Sequence, residues 1–80
     1  MDLVKNKASG SLFIVLDDAG GSHFLLITPE GKIKSLERRL FGPPVAMEHQ
    51  ERQWKGHLTP AQMDIYQSYK DKVDYLKYEN

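Results

Sequence analysis

The stretch Leu58-Thr59-Pro60-Ala61-Gln62-Met63 marks the start of a helix, and the rest of the chain is read outward from it. Thr59 supplies a side-chain oxygen for a free backbone N–H of the first turn, and Gln62, three residues on, reaches back to complete a capping box. Pro60 falls at the first helical position, where its missing N–H costs nothing. Leu58 and Met63 occupy the two positions that a hydrophobic staple fills with apolar side chains. The helix is predicted to run from Pro60 to about Lys77. Gln62, Ile65, Tyr66, Tyr69, Val73 and Leu76 fall on one face at helical spacing, and Asp64, Gln67, Asp71 and Asp74 fall on the other. Asp64 near the first turn and Lys77 near the last suit the helix dipole.

An amphipathic helix needs an apolar partner, and the upstream sequence supplies one. Ser11–Leu16 and His23–Thr28 are rich in β-formers and are separated by the turn formers Asp17-Asp18-Ala19-Gly20-Gly21-Ser22. Thr28-Pro29-Glu30-Gly31-Lys32 is a second turn, with Gly31 placed to take the left-handed conformation of a bulged hairpin. Ile33–Leu36 then returns as a third strand and passes into a helical turn, since Ile33, Leu36 and Leu40 also fit helical spacing. Gly42-Pro43-Pro44 ends this unit, because neither proline continues a helix or donates to a ladder. Val45–Lys55 has two readings. It is rich in helix formers, yet Val45, Met47 and Trp54 make no clean stripe. Residues 1–10 are polar and are expected to form a flexible N-terminal arm, leaving 11–80 as a single small domain. The expected fold class is α+β: a three-stranded antiparallel β-meander packed by a C-terminal α-helix, with 44–55 as a short middle helix or a strand. The alternative is a small SH3-like barrel plus the helix, with Val45–Glu48 as a fourth strand.

Composition narrows the functions. The chain has 80 residues and no cysteine, which excludes disulfides and thiolate metal sites. Its 11 basic residues balance its 11 acidic ones, which argues against strong nonspecific attraction to polyanions. The longest apolar run, Leu12–Leu16, is too short to span a bilayer, so no membrane partner is expected and a cytoplasmic location is the default. His49 and His57 lie near Glu48 and Glu51 without metal-ligand spacing, so no metal or cofactor is expected. Asp17 and Asp18 are adjacent and point apart in extended structure; Gly20-Gly21 lacks the lysine of a phosphate-binding loop; and no serine sits in a nucleophile elbow. The expectation is therefore a non-enzyme.

Two surfaces remain. Leu12, Ile14 and Leu16 alternate with Phe13 and Val15, and Phe24, Leu26 and Thr28 alternate with Leu25 and Ile27, so both faces of the hairpin are apolar. A sheet with one wet face alternates apolar and polar residues instead. One helix covers one face. Either the middle segment covers the other, or Phe13, Val15, Leu25 and Ile27, with Tyr75 and Tyr78 on the helix, form an interaction surface for a protein partner or a second copy in a homodimer. The leading expectation is a non-catalytic protein-interaction domain. The alternative is a small nucleic-acid-binding regulator. Lys32, Lys34, Arg38, Arg39, Arg52 and Lys55 outnumber Glu37, Glu48 and Glu51 in segment 32–57, and Trp54 is interleaved among them.

Overall fold

The computed structural model describes residues 1–18, 21–47 and 56–78, with helix side chains described through Asp71. It consists of an antiparallel five-stranded sheet and one long C-terminal helix, an α+β fold. The strands are β1 (Asp2–Lys5), β2 (Leu12–Asp17), β3 (His23–Ile27), β4 (Ile33–Glu37) and β5 (Val45–Ala46); the helix, α1, spans Pro60–Tyr78. The strand order is β4-β3-β2-β1-β5, so the three expected strands form part of a larger sheet.

The expected N-terminal arm is corrected by this arrangement. Residues 2–5 form a strand with β2 on one side and β5 on the other. The physical reason is the adjacent pair Leu3-Val4. In a strand successive side chains point to opposite faces, so Leu3 enters the cluster with Ile14 and Ile27 while Val4 enters the cluster with Val15, Phe24, Leu26 and Phe41. The polar residues after them make a turn. The backbone N–H groups of Ala8 and Ser9 donate to Asn6 Oδ1, the N–H of Gly10 donates to the Asn6 carbonyl, and Gly10 takes φ +74°.

After β4 a single 3-10 turn, Arg38–Leu40, leads to Phe41. Lys7 N–H donates to the Leu40 carbonyl and Gly42 N–H to the Lys5 carbonyl, which ties this segment beside the end of β1. Phe41 is thereby buried edge-to-face against Phe13 and Phe24, with ring centroids 5.0 and 6.1 Å apart. The second apolar face of the hairpin is therefore covered from within the chain, by Phe41. Of the middle segment, Val45–Ala46 is a strand on β1, and Met47 packs on the helix side of the sheet. Residues 48–55, with Trp54 and the helical reading of that stretch, lie outside the described residues.

The helix docks through its capping box. Gln62 N–H donates to Thr59 Oγ1 at 3.1 Å, and Thr59 N–H donates to Gln62 Oε1 at 3.2 Å. The other end of the Gln62 amide, buried, donates to the carbonyls of Leu12 at 2.6 Å and Ile27 at 3.3 Å. The pairing Ile14↔Ile27, continued by two residues, sets Leu12 opposite Pro29, which has no N–H to give. Gln62 supplies the missing donor. The Thr59 hydroxyl donates to the Pro29 carbonyl, and Leu58, Ile65 and Tyr66 pack over Leu3, Ile14 and Ile27.

The turn before β4 is fitted to the same helix start. Thr28 N–H donates to the Lys32 carbonyl, and Lys32 N–H donates to Thr28 Oγ1. Gly31 has φ +79°, and a Cβ on it would lie 3.0 Å from both the Ala61 Cβ and the Ala61 carbonyl oxygen. Gly31→Ala therefore meets a backbone conformation and a backbone neighbour that both oppose it. We expect a loss of about 1–3 kcal/mol, read as a lower urea midpoint. An unchanged midpoint would mean that the turn does not press on the helix.

Candidate functional site

β4 ends the sheet on one side, and its outer edge pairs with no strand among the described residues. The backbone bonds from Thr28 N–H to the Lys32 carbonyl and from Arg38 N–H to the Ser22 carbonyl set the phase of the β3–β4 ladder. In antiparallel pairs bonded and non-bonded positions alternate. Lys34 and Leu36 therefore turn their backbone groups toward β3, while Ile33, Ser35 and Glu37 turn theirs outward.

The side chains along this edge sort by face. On the helix side stand Ile33, Ser35 and Glu37. Leu25, opposite Ser35, is diagonal to Ile33 there, and the two are the most exposed aliphatic residues of the sheet, at 38% and 53%. The helix start packs over Ile14 and Ile27 and leaves Leu25 and Ile33 exposed. On the other side stand Lys32, Lys34, Leu36 and Arg38. The Arg38 guanidinium lies 4.6 Å from the centre of the Phe24 ring and is paired with Asp18. Arg39 is paired with Glu37. The Glu30 carboxyl is held below its ordinary range, chiefly by its own backbone N–H and then by the Thr28 hydroxyl, with Lys34 and Lys32 adding to the effect.

The two residue sets expected from the sequence fare differently. Val15 and Ile27 are not surface residues: each is buried, on opposite faces of the sheet, Val15 in the cluster that Phe41 closes and Ile27 beneath Leu58, Ile65 and Tyr66. Phe13 is half-buried against Phe41. Leu25 alone of the four sheet residues is exposed. The side chains of Tyr75 and Tyr78 lie outside the described residues. Of the basic set, Lys32 and Lys34 are exposed along β4, Arg38 and Arg39 hold carboxylates, and Arg52, Trp54 and Lys55 lie outside the described residues. Sequence reading passed over Ile33 as a surface residue. The signal was present in Ile33-Lys34-Ser35, an apolar residue in a strand whose neighbours suit an edge.

A shallow cleft of about 420 Å³ at the end of β4 is lined by Ser22, His23, Glu37, Arg38 and Arg39, and another of about 250 Å³, at the β1–β2 turn, by Lys5, Gly10, Ser11, Leu12 and His57. No group of three His, Asp or Glu side chains converges among the described residues, and no described helix is long and apolar enough to cross a membrane. The chain matches no family model, no curated protein and no solved structure.

Proposed function

We propose that this chain is a non-catalytic protein-interaction domain that docks a strand of its partner along the outer edge of β4. The observation that carries the reading is the conjunction at that edge. Outward backbone groups at Ile33, Ser35 and Glu37 stand beside the exposed pair Leu25 and Ile33. Main-chain bonds supply affinity in such strand addition, and alternate side chains supply selectivity. The strand order and the 3-10 turn before β5 also support the reading of the sheet as a small SH3-like barrel, with Phe41 and its neighbours inside and the helix outside. In that arrangement β4 keeps one free side.

The nucleic-acid reading draws less support. Among the described residues of the basic segment, Arg38 and Arg39 are engaged with Asp18 and Glu37, which leaves Lys32 and Lys34 as its exposed cations. A phosphate backbone needs cations free to release counterions.

The test is capture of partners from nuclease-treated lysate by the tagged protein, set beside Ser35→Pro. Proline is tolerated on an edge strand where its N–H faces solvent, so circular dichroism should remain that of the parent protein. Capture that depends on Ser35 keeping its N–H supports the reading. Capture that survives Ser35→Pro, or that nuclease abolishes, overturns it.

A further inference from the structure

We infer that the partner strand at β4 is an extended segment that alternates acidic and apolar residues, contributed by a different protein rather than by a second copy of this chain. This rests on the edge-docking reading. A strand laid antiparallel on β4 sets its residues directly opposite those of β4, alternating faces. Residues opposite Ile33 and Ser35 share the face where Leu25 and Ile33 are bare, and apolar side chains there remove that surface from water. Residues opposite Lys32 and Lys34 share the face where those two ammonium groups stand, and carboxylates there make opposite-charge pairs.

Charge also disfavours the second copy. Two β4 strands paired about a two-fold axis must match outward residues with outward residues. Centring on Ser35 sets Lys32 against Arg38 of the other copy. Matching Ile33 with Ser35 sets Lys34 against Lys34. Matching Ile33 with itself sets Lys32 against Lys34, and matching Ser35 with Glu37 sets Lys34 against Arg38. Each of these four registers sets basic side chains against one another, and like charges directly opposite are destabilising. An acidic partner strand has no such conflict.

The experiment uses two end-blocked synthetic peptides, one alternating glutamate with valine and one alternating lysine with valine. Both are titrated into the full-length protein with amide chemical shifts as the readout. The expected result is binding of the glutamate peptide, about tenfold tighter than the lysine peptide, with the largest shifts at the amides of Ile33, Ser35 and Glu37. Lys34→Glu should reverse the preference, and Ser35→Pro should abolish binding of both. Equal binding of both peptides at β4 overturns the acidic requirement and leaves edge docking standing. Absence of binding by either, or shifts located away from β4, overturns this inference; the lysate capture with Ser35→Pro decides the broader reading separately. Concentration-dependent dimerisation that Ser35→Pro abolishes overturns the assignment to a different protein.

Discussion

Gln62→Leu is expected to cost about 2–4 kcal/mol, which is a large share of the stability of a domain this size. Leucine is close to glutamine in volume, so packing alone predicts little change. The loss comes from polar groups. The Leu12 carbonyl loses its donor where Pro29 cannot provide one, the Ile27 carbonyl loses a second partner, and the Thr59 N–H loses its acceptor. A buried unpaired group costs about 1–3 kcal/mol and a lost cap contributes about 1 kcal/mol. In thermal unfolding each kcal/mol moves the midpoint of a domain of this length by about 4–8 °C. Gln62→Glu separates the two halves of the role. Its carboxylate still accepts from Thr59 N–H but offers no proton to the strand carbonyls. Facing those carbonyls in a buried site, the new carboxyl is raised above its unfolded value, so the folded state binds the proton more tightly. The variant should therefore be weakest at neutral pH and gain stability as pH falls through the folded value toward the unfolded one. A midpoint for Gln62→Leu equal to that of the parent protein would show that the amide bridges nothing that matters.

Much of this architecture was legible in local chemistry. The capping box forms as Thr59 and Gln62 specify, the helix covers Pro60–Tyr78, and the turn at Thr28–Lys32 takes the positive φ at Gly31 that its sequence requires. These features depend on residues within a few positions of one another. The features that sequence reading missed depend on long-range register. Nothing local says that Gln62 will meet a strand end at Leu12, 50 residues away, or that Pro29 will leave a vacancy there. Nor does local spacing say that Phe41, beyond a 3-10 turn, returns across the sheet to close the second face. The sequence showed two apolar faces and left open whether the chain or a partner covers the second; Val15 and Ile27 are buried because the chain supplies its own cover. The candidate edge was hidden for a similar reason. Which residues of β4 direct their backbone outward depends on the phase of the β3–β4 ladder, and that phase is set by the bonds at Thr28 and Arg38.

Electrostatics divides the surface in a way that composition concealed. The segment 32–57 carries excess positive charge in sequence, yet the fold brings Asp18 from the β2–β3 turn onto Arg38. A local charge count along the chain treats Asp18 as distant. What survives as exposed charge on β4 is Lys32 and Lys34, on the face opposite the bare Leu25 and Ile33. An edge with a basic side and an apolar side distinguishes between partners, whereas a uniformly basic edge attracts polyanions. The same lysines discourage edge-to-edge aggregation, which lets an open strand persist beside exposed aliphatic residues.

The N-terminal strand gives the second large effect. Removing residues 1–5 should leave a chain that does not fold, whereas removal of a flexible arm would change nothing. β1 lies inside the sheet, so its loss exposes the long edge of β2 and detaches β5, which pairs with Asp2 and Leu3. It also empties both clusters at once, since Leu3 and Val4 are each only 1% exposed and face opposite ways. The point substitution Leu3→Ala isolates one of these losses. Truncating a buried leucine costs about 2–5 kcal/mol, and Ile14 and Ile27 on one side and Leu58 and Ile65 on the other leave little room for the site to collapse. Lys7→Ala, at an exposed position of the turn just beyond β1, serves as the control and should fall within about 0.5 kcal/mol of the parent protein. Urea unfolding followed by far-ultraviolet circular dichroism reads all three. A truncated chain that unfolds at the same urea concentration as the full chain would remove β1 from the sheet and return residues 1–10 to the status of an arm. A low midpoint for Leu3→Ala with an unchanged one for Lys7→Ala would instead fix the helix-side cluster to β1, because both variants truncate a side chain and only that of Leu3 is buried.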